Sequence, residues 1–71
     1  MLDKIIEILR DVCEVEDEVT LESRFVEDFG ISSLEMFQFI SEIEEEFDVS
    51  INTRKLQGIR TVADLINEIE K

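Results

Sequence analysis

The chain contains no histidine and a single cysteine. Lacking a Cys–His or Ser–His pair, it has nothing to activate a nucleophile, and it has no ligand cluster of the zinc type. One cysteine also forbids an intramolecular disulfide, which fits a reducing compartment. Proline is absent, so no Pro-rich linker exists, and neither repeats nor low-complexity segments break the sequence. No apolar run reaches membrane length and no signal peptide is visible, so a soluble, cytoplasmic protein is expected. Cations are scarce too: seven Lys and Arg stand against 19 Asp and Glu, giving a formal charge of −12. Nucleic-acid phosphates need Lys and Arg, so that balance argues against them as partners. It points instead to basic protein partners approached by electrostatic steering. Acidic pairs such as Glu27-Asp28 read as solvated surface rather than general acid–base groups. The Glu14–Glu18 cluster lacks the glycine and the D-x-D spacing of a calcium loop. None of this describes an enzyme or a metal site.

What is present is helical periodicity. Seventy-one residues make one small domain, 1–71, near the lower size limit for folding without staples. Leu2, Ile5, Ile6, Leu9, Val12 and Cys13 recur at helical spacing, predicting a first helix over about 3–13 with Asp3 as N-cap. Cys13 is either a small half-buried core residue or a reactive thiol. Residues 14–32 carry neither period and read as a long connection, with Val15, Val19, Leu21, Phe25 and Phe29 pinning it to the core. A second helix is expected over 33–47, with Met36, Phe39, Ile40, Ile43 and Phe47 on its core arc. Leu34 and Phe37 lie off that arc, beside Gln38, Ser41, Glu44 and Glu45. They are either edge residues packed by the preceding loop or an apolar hot spot rimmed by carboxylates. Residues 53–57 form at best one turn, ending near Gly58. Thr61 then caps a last helix with Asp64 at N3, and Val62, Leu65, Ile66 and Ile69 form its buried stripe. The fold class is all-α: a small four-helix bundle of three main helices and one short one.

The chain is organised around residues 25–37. Ser32 and Glu35 have the S-x-x-E spacing of a capping box, which occupies the Ser32 hydroxyl. Ser33 is left at the first helical position with its hydroxyl free, among unpaired N–H groups at the positive end of the helix dipole. Such a place favours a phosphate.

The run F-V-E-D-F-G-I-S-S-L-E resembles the prosthetic-group site of acyl carrier proteins, usually written D-L-G-x-D-S-L. Val19-Thr20, Ile43-Glu44-Glu45-Glu46-Phe47 and Thr61-Val62-Ala63 fall at that family's usual spacing, so the likeness covers nearly the whole chain. It implies a stand-alone carrier with 4′-phosphopantetheine on Ser33, holding acyl or aminoacyl intermediates as thioesters. The pathway would be fatty-acid, polyketide, nonribosomal-peptide or related specialised biosynthesis. The implied partners are a phosphopantetheinyl transferase and loading or synthase enzymes with basic docking surfaces, meeting a monomeric carrier. The family uses this helix for recognition, which makes Leu34, Glu35, Phe37, Gln38, Ser41, Glu44 and Glu45 the expected docking residues.

The sequence departs from the family pattern at several positions. Ser32 stands where the fatty-acid family usually has Asp, and Gln38 and Ser41 where Glu and Met are common. Arg54, Lys55 and Arg60 fall in a usually acidic region, and Asn52 replaces a common proline. These departures favour a specialised carrier over the housekeeping one. Phe39, where a smaller aliphatic is frequent, points to a short acyl or aminoacyl cargo. The alternative is an unmodified carrier-like bundle acting as an acidic adaptor for a basic partner.

At −12 on so small a chain, like charges oppose the compact state. The melting temperature should rise between low salt and about 0.1 M, where screening acts over ~10 Å, and further with magnesium at equal ionic strength. A flat response in differential scanning calorimetry would mean that the seven cations already compensate locally.

Overall fold

A computed structural model describes residues 1–70, in five helices. The first, α1 (Leu2–Cys13), buries Ile5, Ile8 and Leu9. It ends where Glu14 enters the left-handed region (φ 54°) and returns its N–H to the Leu9 carbonyl. Asp3 is not its cap. Met1 holds the N-cap position without a side-chain bond, and Asp3 lies within the first turn, where its charge still meets the positive helix end.

Helix α1 packs antiparallel on α3 (Ser33–Phe47). Lys4 Nζ lies 2.9 Å from Glu46 at one end of the pair, and Cys13 Sγ lies 3.9 Å from the Glu35 carbonyl at the other. The expected core arc of α3 is inside: Met36, Phe39, Ile40 and Ile43 are buried and Phe47 is half-buried. Phe39 meets Phe25 with ring centroids 5.4 Å apart and planes tilted by 49°. Such a tilted pair contributes roughly 0.5–1.5 kcal/mol beyond its burial.

The stretch expected to be one long connection contains a further helix, α2 (Phe25–Phe29), so the bundle has five helices where four were expected. Five residues are too few to display a helical period. The i,i+4 pair Phe25 and Phe29 nevertheless turns both rings inward and leaves Val26 outside. The helix closes on Gly30 at φ 65°, a conformation that favours glycine. Val15, Val19 and Phe25 pin the segment as expected, but Leu21 is exposed. The inward side of that turn belongs to Ser23, whose buried hydroxyl takes the Thr20 N–H at 2.9 Å.

The one-turn α4 (Thr53–Gln57) is capped by Asn52 and ends at Gly58. The last helix, α5 (Val62–Glu70), buries Val62 and Leu65. Its first-turn donors are all met: Val62 and Ala63 give their N–H groups to the Ser23 and Leu21 carbonyls, and Asp64 gives its own to Thr61 Oγ1. In return Phe25 N–H reaches the Arg60 carbonyl, so Arg24 and Thr61 form an isolated antiparallel bridge. No helix among the described residues is long and apolar enough to cross a membrane.

Asp64 closes the expected capping box by accepting the Arg60 and Thr61 N–H groups at 3.1 and 3.2 Å. Those bonds, Arg60's first, hold its carboxyl below the ordinary aspartate range. A depressed folded pKa adds stability above the unfolded value, and that contribution is lost as pH falls through the folded one. Asp64→Asn should therefore lower the melting temperature more at about pH 6 than at about pH 2.5. An equal loss at both would remove the carboxylate charge from the account.

Candidate functional site

Three helices converge on the N-terminus of α3. Ser32 is extended (φ −77°, ψ 167°), and its Oγ accepts the Glu35 N–H at 3.3 Å. Glu35 Oε1 accepts the Ser32 N–H at 3.2 Å and lies 3.1 Å from the Ser32 hydroxyl. The capping box is complete, so Ser32 Oγ is committed to the backbone. Ser33 is exposed, and its hydroxyl makes no hydrogen bond among the described residues. The two adjacent serines therefore differ in availability, and only Ser33 offers a free oxygen.

Beside Ser33 lies a groove of about 570 Å³. Val26, Glu27 and Arg24 from the α2 region form one wall. Leu56, Gln57 and Arg60, on and just after α4, form another. Ile31, Met36 and Ile59 give it an apolar floor, and Phe37 stands at its edge. The Arg24 guanidinium is bound to Glu27 and, at 3.4 Å, to Asp28. Asp28 also accepts the Arg24 N–H at 2.8 Å, and that bond is the main reason its carboxyl is held below the usual range.

The two apolar residues off the core arc are not covered by the loop. Leu34 is 69% and Phe37 57% exposed, which removes the reading in which the preceding segment packs them. Val26, at 62%, joins them as a third exposed apolar side chain near Ser33. Sequence reasoning missed it, although its place between Phe25 and Phe29 was the available signal. Gln38, Ser41 and Glu45 are exposed on the outer face of α3. Glu35 and Glu44 share that helix but are half-buried and have structural duties. Glu35 closes the capping box, and Glu44 Oε2 accepts the Ile51 N–H at 2.8 Å, tying down the chain after α3. Neither carboxylate is as free for a partner as its sequence position suggested.

Cys13 is half-buried against the core, and burial, with Glu35's charge adding, pushes its thiol pKa up. That protonated, packed state matches the structural alternative, because the reactive form is the thiolate. No cluster of three or more metal-ligating side chains occurs among the described residues.

Comparison with known proteins supplies a family for this arrangement. The family described as "Phosphopantetheine attachment site" matches residues 3–69. Acyl carrier proteins of Clostridium perfringens strains SM101 and 13 are each 40% identical over 70 residues, covering 97% of this chain and 92% of theirs. A solved structure from Mycobacterium tuberculosis, described as a candidate acyl carrier protein, superimposes with a TM-score of 0.87 at 32% identity. That alignment covers 96% of this chain and 92% of the other.

The division between cap and free hydroxyl has a measurable consequence. Ser32→Ala should cost about 1 kcal/mol of stability in urea denaturation, the usual value of a lost N-cap, whereas Ser33→Ala should cost close to nothing. A larger loss from Ser33→Ala would mean that its hydroxyl has a structural partner.

Proposed function

The chain belongs to the acyl carrier protein family, whose members hold 4′-phosphopantetheine covalently, and from that premise we propose that Ser33 Oγ is the attachment atom. The observation behind this reading is the pair of serines at the start of α3: one capped, one free and beside a groove. In the transfer, a bond forms between Ser33 Oγ and the phosphorus of a pantetheine diphosphate donor. The donor's P–O–P bond breaks, and the nucleotide phosphate leaves with that electron pair. The hydroxyl proton goes to a base on the transferase. When bound, the group supplies a terminal thiol for thioester chemistry. Carriers of this family are not catalysts; the protein's part is to present that thiol at high effective concentration to each partner in turn.

Partner recognition is assigned to the outer face of α3 and its flank. Leu34 and Phe37, with Val26 beside them, provide exposed apolar contact, and Glu45, Gln38 and Ser41 form the polar surround. Glu35 and Glu44 contribute charge while keeping their structural bonds. The expected partners are a phosphopantetheinyl transferase and loading or synthase enzymes with basic surfaces, acting on a cytoplasmic monomer.

The cargo is assigned as a short acyl or aminoacyl group of a specialised pathway. The interior next to α3 is filled by the Phe25–Phe39 pair, both rings essentially inaccessible. Forcing extra volume into a packed core costs about 1–3 kcal/mol.

Co-expression with a broad-specificity transferase tests the proposal by intact mass. One phosphopantetheine should be gained, mapped to the Ser33 peptide position and lost in Ser33→Ala. No gain would favour the unmodified acidic adaptor. Phe37→Ala should slow transfer with little change in stability, whereas Ile43→Ala should destabilise by roughly 2–5 kcal/mol. Stability rising steadily with the length of a loaded acyl chain would overturn the short-cargo assignment.

A further inference from the structure

The walls of the Ser33 groove carry different charge. Between Asn52 and Arg60 the sequence places Arg54, Lys55 and Arg60 and not one carboxylate, in a chain where 19 of 71 residues are acidic. Of these three cations, only Arg60 lines the groove. On the opposite wall Arg24 is neutralised by Glu27 and Asp28, so that side offers no spare positive charge. Arg60 makes no side-chain ion pair within 4 Å among the described residues, whose four pairs all use Lys4 or Arg24. Asp64 feels the Arg60 charge but is held by the backbone N–H groups of Arg60 and Thr61. The side chain itself is exposed.

On so acidic a protein, an arginine with no side-chain ion pair within 4 Å lines the same groove as a free serine hydroxyl and is available to an anion held there. We propose that Arg60 is the counter-ion of the phosphodiester that modification places on Ser33, an inference that rests on Ser33 being the modified residue. A phosphodiester carries one full negative charge at every working pH, and a guanidinium binds such oxygens through paired N–H donors. Its addition takes the formal charge from −12 to −13. Self-repulsion would make that step destabilising unless a local cation offsets it.

The experiment compares the natural chain with Arg60→Gln and Arg54→Gln. Both variants lose one exposed positive charge, but only position 60 borders the groove. Each is modified with phosphopantetheine, the product is verified by intact mass, and melting temperatures before and after modification are compared at low and high salt. Modification should leave the natural chain and Arg54→Gln unchanged or more stable, and should lower the melting temperature of Arg60→Gln at low salt only. The phosphorus-31 resonance should shift in Arg60→Gln and stay in place in Arg54→Gln. Equal responses of the two variants, with modification verified, would overturn the counter-ion role and leave the attachment site standing. Failure of the natural chain to gain the group would overturn both.

Discussion

The pairing of residues 21–25 with the first turn of α5 is the constraint on which the site depends. A helix start exposes backbone donors that cannot be met from within the helix. Here Leu21 and Ser23 meet two of them, and Phe25 N–H answers to Arg60. That exchange fixes Phe25 beneath Phe39, which sets the position of α2 against α3. Gly30 then reverses the chain within one residue, Ile31 anchors it in the core, and Ser32 opens α3. The exposed hydroxyl of Ser33 is thus positioned by buried groups on both sides of it, on a rigid helix end rather than a free loop.

Charge works against this fold in one place. The last turn of α3 contains no cation and carries Glu44, Glu45 and Glu46, followed by Asp48, at the negative end of the helix. Carboxylates there are unfavourable by the logic that makes cations favourable, about 0.3–1 kcal/mol each. Only two are compensated: Glu46 by Lys4 and Glu44 by the Ile51 N–H. Glu45 and Asp48 remain exposed, with no compensating partner among the described residues. Stability alone does not account for these carboxylates, and the docking face proposed for α3 includes Glu45.

Helices whose apolar residues repeat over two turns or more were legible in the sequence, because periodicity is a property of the segment itself. α1, α3 and α5 fall within a residue of where it places them, and the Ser32–Glu35 and Thr61–Asp64 boxes sit at their expected spacing. The motif that carries the family resemblance was equally legible, being local. What escaped was anything set by tertiary pairing. Helix α2 is one turn long and depends on its bridge to Thr61, and no local signal announces a bridge partner 37 residues away. Asp3 looked like a cap because its residue type fits, but the helix begins a residue earlier, at Leu2. Glu44 looked like free surface because its hydrogen bond to Ile51 spans a turn whose path the sequence does not give. The groove follows the same rule: Arg60 and Ser33 are 27 positions apart, and only the fold makes them neighbours on one cavity.

The identity of residue 32 connects the cap to the charge balance. An aspartate at that position, as the fatty-acid carriers usually have, caps a helix about as well as serine. It would also put a full negative charge next to Ser33, the residue proposed to receive a phosphodiester. Serine keeps the N–H bond and omits the charge. Arg24 is neutralised by Glu27 and Asp28, and Arg60, which makes no side-chain ion pair within 4 Å among the described residues, lines the same groove as Ser33. The protein thereby separates two demands. The acidic outer face of α3 keeps its long-range field, while residue 32 itself adds no charge beside the hydroxyl proposed to receive the anion.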